Sequence, residues 1–158
     1  MGITVTGLDE LKFILEKLGK SAPSNTLAAM KKEALKIQSL AVKMAPVDDG
    51  DLEKAIKVST EGGGRDGLGR FASKSVTIYV DSDMPDTSRP GKSVGDYAYE
   101  MHEHLTPFGS LKLGPKSVSK QSGQSELVGG GYLERAADEV EEGIAKRLSK
   151  AAKADINS

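Results

Sequence analysis

The sequence has no cysteine and no tryptophan, and aromatic residues fill only 4% of its 158 positions. Without cysteine there are no disulfides, no cysteine-based zinc sites and no thiol nucleophiles, which fits assembly in a reducing compartment. With few aromatics, the core must be aliphatic and modest for the chain length. No apolar run is long enough to cross a bilayer, and the opening "MGITVTGLDELKF" lacks a basic stretch followed by an apolar one, so neither a membrane span nor a standard export signal is expected. The formal net charge of −1 lacks the broad positive field of a dedicated nucleic-acid-binding protein and leaves room only for local phosphate contacts.

What is present suits one domain over residues 1–158. Leu8, Leu11, Leu15 and Leu18 recur at spacings of three and four, which predicts a short helix ended by Gly19. Ser24 or Asn25 would then cap a long helix whose apolar face is Leu27, Met30, Ala34, Ile37, Ala41 and Met44. Pro46 stops that helix at or before Ala45. Asp48, Asp49 and Gly50 read as a tight turn, with an Asp side chain capping a helical turn at Leu52 to Ala55. Ile56, Val58 and Thr60, and later Val76, Ile78 and Val80, alternate as strands do and predict a hairpin. Tyr97, Tyr99 and Met101 alternate like a strand, yet Tyr97, Met101 and His104 also share a helical face. Leu133, Ala137, Val140, Ile144, Leu148 and Ala151 predict one long closing helix with Asp138, Glu139, Glu141 and Glu142 outside. The fold class expected is α+β, a small antiparallel sheet packed against two long helices. Residues 62–74 and 105–131 read as extended, flexible loops, and 154–158 as a disordered tail.

Chemistry-bearing patterns are sparse. His102 and His104 flank Glu103, but the zinc-protease pattern needs histidines at i and i+4 on a helix, and no third ligand of recognisable spacing accompanies them. Polar residues near a sheet edge, with Glu103 paired to a lysine or arginine, is the simpler account. "GGGRDGLGR" lacks the Gly-Lys-Ser/Thr ending of a phosphate loop and lies between two strands. It carries Arg65, Arg70 and Lys74, with Phe71 beside them, and could order against a neighbouring subunit or a phosphate backbone. Lys112, Lys116 and Lys120 have no acidic neighbour before Glu126, while Leu105, Phe108, Leu111 and Leu113 have no obvious element to pack into; both suggest docking onto another molecule. On that reading, removal of Ser117 to Ser125 should spare the fold. No serine sits in a G-x-S-x-G elbow, so no catalytic residue, metal or cofactor is expected.

Three segments in this order resemble the minor tail or tail-completion proteins of long-tailed bacteriophages: "APVDDGDLEKAIKV", "YAYEMHEHLTPFG" and "GGGYLERAADEVEEGI". With the connecting strands, the resemblance covers most of Leu27 to Leu148. Asp49 stands where the family usually has Thr, and acidic Asp51 and Glu53 flank Leu52 where basic residues are frequent. The resemblance implies a non-enzymatic virion protein of the neck, in the host cytoplasm during assembly. It would form a homo-oligomeric, six-fold ring around the genome DNA path and join the tail tube protein to the head-closure or connector protein. Pro46, Asp48, Gly50 and Leu52 would form its structural corner. Phe71, Leu105, Phe108, Leu111 and Leu113 would contact subunits or partners, and Arg65, Arg70 and Lys74 would face the DNA lumen. Tail-terminator or head-closure roles are alternatives within the same neck. A small nucleic-acid-binding protein is the alternative from another class.

Overall fold

The computed structural model describes residues 3–6, 12–15, 24–61 and 75–156. In chain order these form β1 (Ile3–Thr6), β2 (Lys12–Leu15), α1 (Ser24–Met44), α2 (Asp51–Ala55) and β3 (Ile56–Glu61). There follow β4 (Ser75–Val80), α3 (Gly95–Glu103), α4 (Pro115–Ser122), α5 (Tyr132–Glu141) and α6 (Ile144–Ile156). The antiparallel sheet has the order β1-β2-β4-β3. The α+β class expected from the sequence is the one observed.

Helix α1 organises the molecule. Its predicted apolar face is the core, with Met30, Ala34, Ile37, Ala41 and Met44 buried and Leu27 packed half-buried beside them. Strands β3 and β4 pack on α1, and so do α5 and α6. The closing helices therefore rest mainly on α1 rather than on the sheet, because α1 buries far more than one narrow stripe. Ala34, Ala41 and Ala45 have no exposed area, and such small side chains let neighbouring backbones come close. The core is largely aliphatic, as expected, but its largest fully buried side chain is Tyr132.

Four expectations are corrected. The helix predicted over Leu8 to Leu18 is replaced, where the chain is described, by strands: Phe13, Ile14 and Leu15 of β2 pair with Ile78, Thr77 and Val76 of β4. Without β2, β4 would have only β3 as a partner and one row of backbone groups unpaired, and that tertiary demand overrides a leucine spacing that also permits a short strand. The single closing helix is two, α5 and α6, parted at Gly143, whose φ of +83° belongs to the left-handed region that glycine enters freely. The tail predicted to be disordered from 154 instead continues α6 through three more residues to Ile156; residues 157 and 158 lie outside the described part.

The fourth correction is the largest. Residues 105–131 are no flexible loop: they contain α4, begun by Pro115 at its first turn, and a bridge from Leu105 to Leu111. Residues 129–131 then stitch three elements together, with Gly129 N–H donating to the Met44 carbonyl (2.9 Å), Gly130 N–H to Thr106 (2.9 Å) and Gly131 N–H to His102 (2.7 Å). The other predicted loop, 62–74, lies outside the described residues.

Candidate functional site

The corner after α1 turns as its sequence requires. Helix α1 stops at Met44, two residues before buried Pro46. The cap of α2 differs from expectation: no aspartate side chain caps it, and Gly50 holds the N-cap position at φ +82°. The aspartates are occupied elsewhere. Asp51 accepts from the Thr87 N–H (2.7 Å) and hydroxyl (2.6 Å). Asp48 and Asp49 each lie 3.2 Å from the Lys116 ammonium on α4.

An α-helix leaves its last four carbonyls without intrahelical donors. Here each finds one: Ala41 accepts from the Ala45 N–H (2.7 Å), and donors from the later segment reach the other three and the Ala45 carbonyl just past the helix. Lys120 donates to Val42 (2.6 Å) and Ala45 (2.8 Å), Gln124 to Lys43 (2.8 Å) and Gly129 to Met44 (2.9 Å). Lys120 also pairs with Glu53, so its three protons meet three acceptors. Buried Ser117 accepts from Val47 N–H (2.9 Å) and donates to the Val47 carbonyl (3.0 Å). Two of the three lysines without acidic neighbours in sequence, Lys116 and Lys120, thus meet Asp49 and Glu53 in space.

Corner and docked segment enclose a groove of about 670 Å³. Its apolar lining comes from Pro46, Leu52, Tyr97, Met101, Leu105 and Leu111. Around it stand the carboxylates Asp48, Asp49, Asp51, Asp86 and Glu100 against the cations Arg89, Lys112 and Lys116. Hydrogen bonds from Ser88, then the paired Arg89, hold the Asp86 carboxyl below its ordinary range, and the Thr87 bonds do the same for Asp51. Burial, helped by the Asp86 and Asp51 charges, pushes the Tyr97 hydroxyl up to about 12. Arg89 lies over the Tyr97 ring, 4.5 Å from its centre. Asp51 and Asp86 therefore stay charged, and Tyr97 neutral, around neutral pH.

The structure gathers Pro46, Asp48, Gly50, Leu52, Leu105 and Leu111 at one groove. Leu105 is buried there, whereas Leu111 is 39% exposed. Phe108, 48% exposed, and half-buried Leu113 are not part of its lining. Arg65, Arg70, Phe71 and Lys74 lie outside the described residues. Sequence reasoning missed Asp86, Arg89, Tyr97 and Glu100, although the turn-rich "DMPDTSRPGKSVGD" before a helical Tyr97 face held the signal.

The two histidines diverge. The ambiguous 97–104 segment is helical, as α3. His102, only 2% exposed, stacks edge-on against Tyr132 at 5.0 Å and shares Nδ1 with Glu103 at 2.8 Å. Glu103 thus pairs with histidine rather than with the expected lysine or arginine, one residue along the same helix. His104 meets Tyr99 edge-on at 6.0 Å. Among the described residues no three His, Cys, Asp or Glu side chains are grouped to hold a metal ion, and no helix is long and apolar enough to cross a membrane.

Fold and groove define a small α+β protein with a charged, partly apolar recess at its corner. Residues 9–83, slightly under half of the chain, match the family model described as "Bacteriophage HK97-gp10, putative tail-component", so this stretch is similar to a bacteriophage tail component. The matched stretch holds β2, α1, the corner, β3 and β4. It includes the first of the three resembling segments and ends before the other two. No curated protein and no solved structure gives a match.

Proposed function

We propose that this chain is a structural component of the bacteriophage neck, completing the tail at the head-tail junction. It assembles as a homo-oligomeric ring, six-fold by the family resemblance, around the path of the genome DNA. One rim meets the tail tube protein and the other the head-closure or connector protein. A tail-terminator or head-closure role in the same neck is the alternative. The observation that carries it is the tail-component match over residues 9–83, which spans the corner on which the groove is built. A near-neutral net charge also suits a conduit, because many phosphate contacts would retain the DNA that must pass. No catalytic role is assigned, and the protein is expected in the virion after assembly in the host cytoplasm.

Light scattering with electron microscopy of the purified protein, alone and mixed with isolated tail tubes, tests this. Rings, or caps confined to one end of the tubes, are expected. A monomer that ignores tube ends and binds duplex DNA with a steep salt dependence would replace this reading with the nucleic-acid-binding one.

A further inference from the structure

We propose that the acidic groove is the receptor for residues 62–74 of a second copy of this chain, so that subunits join head to tail; this rests on the ring-forming reading above. Charge is the first reason. The groove sets five carboxylates against three cations, a net of two negative charges. The segment "GGGRDGLGRFASK" carries Arg65, Arg70 and Lys74 against Asp66, a net of two positive charges. Its apolar members Leu68 and Phe71 suit a lining of Pro46, Leu52, Met101 and Leu105. Two copies of the groove facing each other would instead place like charges together.

Position is the second reason. Ile56 pairs with Val80 at the end of the hairpin that adjoins α2 and the corner, and Glu61 pairs with Ser75 at the other end. Residues 62–74 therefore leave the sheet about 17 Å from the groove end, at about 3.3 Å per residue of strand. A thirteen-residue connection that goes out and returns reaches at most about 21 Å. Bending back to its own groove would use nearly all of that length, whereas a neighbour's groove can be met directly. Complementary surfaces at opposite ends of one sheet make a heterologous contact, the kind that repeats and closes into rings.

The decisive probe is a labelled peptide of residues 61–75 titrated by fluorescence anisotropy against the full-length protein carrying Arg65→Glu and Arg70→Glu, whose own segment can no longer compete. Saturable binding is expected, weakened by about tenfold or more when Asp48→Lys and Glu100→Lys are added to the protein, since reversed charges at a contact act on affinity and on-rate together. No saturable binding, or binding indifferent to the groove substitutions, overturns the proposal. Sedimentation gives a second reading: the segment variant and the groove variant should each stay monomeric, and their mixture should form pairs that grow no further. Rings that persist in the segment variant overturn the contact while leaving ring formation in place. A segment variant that assembles normally but loses retention on DNA assigns these residues to phosphate and also overturns it. Peptide binding by a wild-type protein that never forms rings would support the contact and count against the ring.

Discussion

Two helix ends in this protein are closed by the same device, a cation that feeds carbonyls and pairs with a glutamate from another element. At the end of α1, Lys120 serves Val42, Ala45 and Glu53. At the end of α5, Arg147 serves Val140 and Glu142, both at 3.2 Å, and grips Glu33 of α1 through two 2.8 Å bonds. Positive charge at a helix C-terminus also complements the helix dipole. The difference is reach. Arg147 lies within one turn of Gly143 and closes a local break, and its planar fork grips a carboxylate two bonds at a time. Lys120 comes from a segment far along the chain and ties down the corner on which the groove stands. One cation joins a helix pair; the other binds the end of α1 to α2 at the corner.

The most damaging change should be removal of Ser117 to Ser125, which takes away Ser117, Lys120 and Gln124 together. Loss of cooperative urea unfolding is expected, contrary to the sequence-based view that the segment only docks partners. A cooperative transition close to that of the intact chain would restore that view. Next is Lys120→Met, which leaves acceptors at the end of α1 and the Glu53 carboxylate without their donor. A loss of about 3 kcal/mol is expected by chemical denaturation, on the scale of unsatisfied buried acceptors.

Glu33→Gln should cost less, about 2 kcal/mol, because Arg147 keeps contact with water once its partner is neutral. Glu33 sits nine residues before Val42 on α1, about 13 Å away along the axis, so its effect should add to that of Lys120→Met. A coupling above about 0.5 kcal/mol would show the two helix ends to be one structure. Acid titration sharpens the same point. Burial raises the Glu33 carboxyl, but the bonds from Arg147 and Lys36 outweigh it and leave the group below its ordinary value of 4.5. A lowered folded value means that the unfolded chain binds the proton more readily. The contribution is complete above 4.5 and fades as pH falls through the lower folded value, so Glu33→Gln should flatten the acid limb of stability against pH. Smallest of all, Lys116→Ala should leave the midpoint unchanged, since its bridges to Asp48 and Asp49 are solvated. A loss like that of Lys120→Met would move the weight of the corner to the surface pair.

What could be read from the sequence was what repeats locally. The face of α1, the stop at Pro46, the β3 and β4 hairpin and the buried side of α5 and α6 all follow from spacing. The strands at the N-terminus did not, because Lys12–Leu15 is too short for its period to exclude a helix, and its pairing partner lies in β4. The break at Gly143 was overlooked because the apolar positions stay in phase across it. Half of the groove was visible, at the corner and at Leu105 and Leu111. The other half depends on contacts such as Thr87 to Asp51 and Lys116 to Asp49, whose members lie far apart in sequence and share no period.

The closure of α1 also sets an order of events during synthesis. The corner at Pro46 leaves the ribosome long before Lys120, Gln124 and Gly129 exist. At about 5 to 20 residues per second, roughly eighty residues separate the helix end from its last donor by about 4 to 17 seconds. Throughout that interval the nascent corner holds bare carbonyls and an unfilled groove wall, so the groove is finished only once residue 129 has been made.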